Sequence, residues 1–234
     1  MSDAGDNFAY VKEQDPIAEK ISADLAFVLD LPVAPVRLWE VPVAQTDSAK
    51  ASRYFSAALL VFPDVKQPKI GTWFDDPFWQ AMHVFDWWVD NRDKREMCAP
   101  KNPETSRQKS LIYYDWGLSF GQITYRDLLR EREPGSIKQR DSYGGRGPSD
   151  MSETQRFNHK LIIERIADFS DATLRDIISH VPDALYEQEL RQYSAPAKDY
   201  DYKQKIMEHL TQGRDVLRET RKRIYGNVAV STAG

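Results

Sequence analysis

The chain of 234 residues predicts an α+β fold with a small N-terminal lobe of strands and one helix, and a larger, mostly helical C-terminal lobe. Three observations carry this reading. Short apolar runs ended by proline or turn residues fill the chain up to about residue 65. Apolar residues then recur at steps of three and four through most of the remainder. Between the two patterns lies a connector, Lys66 to Gly71, with proline and glycine. The organisation read from this is a first lobe at 1–68, a second at 69–226 and a tail at 227–234.

The elements follow in order. "NFAYVKEQ", Asn7 to Gln14, has the short apolar centre of a strand. Asp15-Pro16 places a capping acid before a proline in the first helical turn, and Ile17, Ile21, Leu25 and Val28 or Leu29 continue at helical spacing to about Asp30. The prolines of "LPVAPVRLWEV" break that helix, and "VRLWEV" reads as a strand. "YFSAALLVFPDV", Tyr54 to Val65, is a further strand, and "KQPKIGTW" a connector. A core helix starts near Asp75-Asp76-Pro77 and lines Phe78, Met82, Phe85 and Val89 along one face, with Ala81 and Trp88 beside them. The polar segment "KNPETSRQKS" separates it from the strand "LIYYD". Residues 131–155, rich in Gly, Ser, Pro and charge, read as a long loop. Helical patterns follow from Phe157 to Ser170, from Ala172 to His180 and from Tyr202 to Tyr225, with "VPDALYEQELRQY" as the connection before the last.

Composition excludes several classes. A formal net charge of −4 and a pI near 5.7 do not suit wholesale binding to nucleic acid or to an anionic membrane. The one basic run, "RDVLRETRKR", has helical spacing and reads as a solvated helix face before it reads as a phosphate patch. A single cysteine, Cys98, forms no disulfide framework, the acidic, polar start resembles no signal peptide, and no apolar run is long enough to span a bilayer. The expected location is the cytoplasm. Six Trp, ten Phe and eleven Tyr exceed a minimal core, so core packing and a cleft lining are both open for them.

Two stretches raise the question of chemistry: "HVFDWWVDNRDKREM", His83 to Met97, and "SLIYYDWGLSFG", Ser110 to Gly121. Asp93 follows the apolar helix, and Asp115 ends the apolar strand and is followed by Trp116 and Gly117. With Lys12 on the first strand and Glu19 early in the first helix, the order becomes strand Lys, helix Glu, helix, Asp, strand, Asp-x-Gly. Phosphoryl transfer asks for such a set: a lysine on the phosphates, a glutamate that holds it, a carboxylate that accepts the hydroxyl proton and another that holds magnesium. Gly117 allows a sharp turn after the metal ligand. Each residue also has a plainer reading. Lysine is mostly a surface residue, Glu19 suits a helix N-terminus by charge alone, and either aspartate can simply form a turn.

On these residues the chain resembles the HipA-like kinase family, bacterial members of the wider protein-kinase and phosphatidylinositol-kinase fold. The matching stretches are "YVK", "EKISADLAFVLDLPVAPVRLWEV", "VFDWWVDNRDKR", "LIYYDWGLSFG" and the ending "QKIMEHLTQGRDVLRETRKRI". They run with gaps from about residue 8 to 226, and the stretches around Asp93 and Asp115 are the most specific. The resemblance implies a two-lobed, protein-kinase-like fold and an ATP-dependent kinase that phosphorylates a protein or small-molecule hydroxyl. It implies Lys12 and Glu19 as the phosphate-orienting pair, Asp93 as the base, Asn91 as the asparagine of the catalytic loop and Asp115 as the magnesium ligand. ATP and Mg are the implied cofactors, and a toxin–antitoxin or other regulatory protein partner is implied with them.

Two departures from the family pattern set up an alternative. The family places a metal-binding Asn five positions after the base, where this chain has Cys98. A thiol suits magnesium poorly, which leaves Asn102 as a substitute ligand in a rearranged loop. Only eleven residues precede Lys12, too few for a phosphate-covering hairpin and strand, and "SDAGDN" offers one glycine. The alternative is therefore a catalytically inactive pseudokinase, degenerate or N-terminally shortened, that acts as a binding or regulatory module.

Overall fold

The computed structural model of the protein describes residues 8–12, 16–41, 53–60, 65–66, 72–91, 96–100, 111–117, 119–121, 151–192 and 201–225. Within them the fold is mixed α and β and mostly helical, compatible with the α+β class.

The first sheet forms from β1 (Phe8–Lys12), β2 (Val36–Val41) and β3 (Arg53–Leu60), in the order β1-β3-β2 with both pairs antiparallel. Helix α1 (Pro16–Val28) connects β1 to β2 and buries Ile17, Ile21 and Leu25 completely. Proline stands at its first residue, where no backbone donor is lost. Asp30, at φ 57, turns the chain out of it in the left-handed conformation.

A second sheet has the order β4-β5-β6, from β4 (Val65–Lys66), β5 (Glu96–Pro100) and β6 (Ile112–Tyr114). Cys98 lies opposite Ile112 in its antiparallel ladder. The segment after α1 joins this sheet: the Tyr113 amide donates to the Pro32 carbonyl, and the Ala34 amide donates to the Tyr113 carbonyl. Strand β4 falls across the end of the expected strand Tyr54 to Val65 and the start of the connector, and β5 where the resemblance implied a catalytic loop. A two-residue strand carries no readable alternation, so its pairing partner alone creates it.

Helix α2 (Trp79–Trp88) carries the expected apolar face, with Met82, Phe85, Trp88 and the following Val89 fully buried. Helix α3 (Glu153–Ala167) starts inside the stretch read as a long loop. Its start is fixed by a capping box in which Ser152 and Gln155 satisfy each other's backbone amides. Helix α4 (Asp171–Ser179) is capped by Ser170. The connection read in "VPDALYEQELRQY" is itself a helix, α5 (Asp183–Gln192), and α6 (Tyr202–Tyr225) follows. Leu185 and Tyr186 of α5 are buried in the core.

One buried apolar cluster joins α1, α2, β6 and all four later helices. Trp88, Trp116, Tyr113, Phe85 and Phe120 are its largest fully buried side chains, so the described part of the aromatic surplus largely fills core. Phe85 meets Trp88 and Trp116 edge-on, with centroids 6.2 and 5.8 Å apart. The basic run is not simply a solvated face. Arg214 is buried and donates to the Phe169 carbonyl, Arg218 to the Ala167 carbonyl, and Arg221 pairs with Asp168. Guanidinium groups thus cover the open carbonyls where α3 ends, which its dipole favours.

Asp76 ties these layers together. One carboxylate oxygen accepts from the Phe78 amide at 2.9 Å and from the Tyr113 hydroxyl at 3.0 Å, and the other from the Leu111 amide at 2.9 Å. The Gln155 side chain donates to the Asp76 and Phe74 carbonyls, bringing the α3 N-terminus to the same point. Replacing Asp76 with Ala strands three donors, two of them buried, so urea unfolding is expected to show a loss of roughly 3–5 kcal/mol, against about 1 kcal/mol for Tyr113→Phe.

Burial lowers the pKa of His159 on α3 from 6.5 to about 4. The unfolded chain therefore takes up a proton below pH 6.5 that the folded chain refuses until about 4. Stability is expected to fall between those values by up to about 3 kcal/mol. In urea titrations at pH 7 and 4.5, His159→Gln is expected to lose less between the two than the parent chain does.

Candidate functional site

The site is built where three segments meet: the first turns of α1, the loop that leaves α2, and the turn that leaves β6. Glu19 lies on the buried side of α1, with 3% of its surface exposed. Its carboxylate accepts from the Asp115 amide at 3.2 Å and from the Trp116 amide at 2.9 Å. Buried, charge-assisted bonds of this kind contribute about 1.5–3 kcal/mol each. They hold Asp115 at φ 75, in the left-handed region that costs a non-glycine residue on the order of 1 kcal/mol. Gly117 is buried beside it, and a hydrogen bond from the Ser119 amide to the Trp116 carbonyl closes the turn.

The loop after α2 meets the same turn. Asp90 also has a left-handed backbone, φ 51, and the Asn91 amide donates to the Asp86 carbonyl at 2.8 Å. Asn91 is 4% exposed. The Phe120 amide donates to the Val89 carbonyl, and the Trp116 indole donates to the Asp86 carboxylate at 3.1 Å. Phe120 is left-handed as well, φ 61, so three of the four non-glycine residues with positive φ among those described sit at this junction. Concentrated backbone strain of this kind is held only where surrounding contacts over-determine it.

The sequence-predicted residues distribute as follows. Glu19, Asn91, Asp115 and Gly117 lie on the three meeting segments. Lys12 ends β1, opposite Ser56, and its side chain lies outside the described residues. Asp93 and Asn102 also lie outside the described residues. Sequence reasoning passed over Asp86 and Trp116. The available signal was one carboxylate set within "VFDWWV", since an acid in an apolar run asks for a hydrogen-bonding partner.

Cys98 does not take the place of a metal-binding asparagine. It is buried in a small cluster with Ala34 and Ile112, and burial raises its thiol from 9.0 to about 11. A protonated thiol is no ligand for a hard cation. Among the described residues no group of three or more His, Cys, Asp or Glu side chains gathers to hold a metal. Magnesium needs no such group: one or two carboxylates suffice when phosphate and water supply the rest. By donor chemistry Asp115 fits that role and Cys98 does not.

No protein-family model matches the chain, and no curated protein matches it. No helix among the described residues is long and apolar enough to cross a membrane.

The buried, protonated Cys98 gives a direct check. The folded protein is expected to resist alkylation by iodoacetamide at pH 8.5, and to become labelled at the rate of a free thiol once unfolded in urea. Prompt labelling of the native protein, read by mass, would contradict the burial.

Proposed function

We propose that the chain is an ATP-dependent phosphotransferase of HipA-like kind, in a two-lobed, protein-kinase-like arrangement. The observation that carries this is the Glu19 link to the Asp115 turn. A helix near the N-terminus holds, by a buried carboxylate, the backbone of an Asp-x-Gly turn 96 residues further on. Side-chain packing alone would not call for an acid there, nor for a left-handed aspartate ahead of a glycine.

In this reading Asp115 is the magnesium ligand. The metal, when bound, neutralises the phosphate oxygens that gain charge during transfer. Glu19 is the proposed partner of Lys12, and its carboxylate also holds the Asp115 and Trp116 amides. Lys12 orients the phosphates, and Asp93 accepts the proton of the attacking hydroxyl on a protein or small molecule. Asn91, buried at the end of α2 with its amide on the Asp86 carbonyl, is the proposed asparagine of the catalytic loop. Asn102 is the proposed second oxygen ligand in place of Cys98. The setting proposed is cytoplasmic and bacterial, with a regulatory protein as further partner.

A second reading, a pseudokinase that binds nucleotide without transfer, is favoured by one observation. Cys98, five residues past Asp93, is locked into the β5–β6 ladder as a neutral thiol and brings no oxygen to a metal.

The thermal midpoint with and without Mg-ATP tests nucleotide binding. A hundredfold excess over Kd is expected to stabilise the fold by about 2.7 kcal/mol. Asp115→Ala is expected to remove the magnesium-dependent part of that shift. Transfer from labelled ATP then separates the readings: activity abolished by Asp93→Asn supports the enzyme, whereas binding without transfer supports the pseudokinase. Absence of any Mg-ATP shift would overturn both.

A further inference from the structure

We propose that Asp86 is a positioning residue for the Asp115 turn, acting through the indole of Trp116. This rests on the reading of Asp115 as a magnesium ligand only for its kinetic consequence; the conformational claim stands on geometry.

Asp86 sits in the last turn of α2, between Phe85 and Trp87, both buried. A negative charge there faces the negative end of the helix dipole, and the residues on either side of it in the sequence are apolar. Helix formation therefore gives no reason for an acid at this position. Its carboxylate accepts the indole N–H of Trp116, a side chain with no exposed surface. Its carbonyl accepts the Asn91 amide, so one residue contacts both the turn after β6 and the loop after α2.

Trp116 is held from two sides. Glu19 accepts its backbone N–H from α1, and Asp86 accepts its indole N–H from α2. Phe85 packs edge-on against the ring and limits its tilt. An indole has a single N–H donor, so the bond to Asp86 selects one ring orientation within the pocket. With backbone and ring both fixed, Asp115 has little freedom to leave its left-handed conformation. A carboxylate supported in this way by neighbours of its own loop behaves like other metal ligands, whose outer partners set affinity without touching the ion.

The test uses the full chain with Asp86→Ala, Asp86→Asn and Trp116→Phe. Asparagine keeps an oxygen that accepts the indole N–H, alanine does not, and phenylalanine removes the donor while keeping an aromatic ring. Two quantities are read: hydrogen exchange of the peptide spanning residues 111–121, and the magnesium concentration at half-maximal ATP turnover. Asp86→Ala and Trp116→Phe are expected to speed exchange about tenfold and to raise the magnesium requirement about tenfold, with kcat at saturating magnesium changed less than about threefold. Asp86→Asn is expected to stay within about threefold of the parent in both. The double variant is expected to equal the worse single one, because both remove the same bond.

Unchanged exchange in Asp86→Ala, or additive effects in the double variant, would overturn the proposal. If Asp86→Ala does not fold, Trp116→Phe and Asp86→Asn decide by the same contrast. Faster exchange in a protein whose parent form shows neither turnover nor magnesium binding supports the positioning role while removing the phosphotransferase reading.

Discussion

The carboxylate of Glu19 is the constraint on which the junction depends. It reaches from α1 to two consecutive backbone amides beyond β6, across 96 and 97 residues of chain. Ordering so long a loop is entropically costly, though that cost grows slowly with length. The bonds are strong because a charged acceptor meets two amides in a place that water scarcely reaches. The pairing of Pro32 and Ala34 with Tyr113 ties the segment after α1 to the same strand. Helix, following segment and strand are therefore positioned as one unit.

Three carboxylates recur as organisers of this molecule. Glu19 binds backbone amides, Asp76 binds two amides and a phenol, and Asp86 binds an indole. Glu19 and Asp76 meet backbone donors that lack partners within their own element, whereas Asp86 meets a side-chain donor. Burying acids such as Glu19 and Asp76 is expensive unless their oxygens are satisfied, so those two positions tolerate few substitutes. Arginines of α6 do the complementary work, covering the carbonyls at the end of α3. The Arg214 guanidinium, bonded to Asp171, holds that carboxyl below its usual range and locks the start of α4 to the same helix.

Long amphipathic elements were legible because burial leaves a periodic trace. The faces of α1 and α2 and the length of α6 follow from residues spaced at three and four. Elements created by contact were not. The β4 strand has two residues and no period, and α3 begins in polar sequence because a capping box, not an apolar residue, starts it. The Ser152-Gln155 spacing was present in the chain, yet it acquires meaning only when Gln155 also reaches Phe74 and Asp76.

For the candidate site, the chain by itself determined the ingredients: an acid in the first helix, an aspartate before Trp-Gly after a strand, and an asparagine beyond an apolar helix. These are local patterns, written in residue type and short spacing. Tertiary structure alone decided that Glu19 accepts from the Asp115 turn, that Asp86 accepts from Trp116, and that Cys98 belongs to a β-ladder as a neutral thiol. The reason is physical. A hydrogen bond between residues a hundred positions apart leaves no period in the sequence, and the state of a thiol is set by the solvent its neighbours exclude.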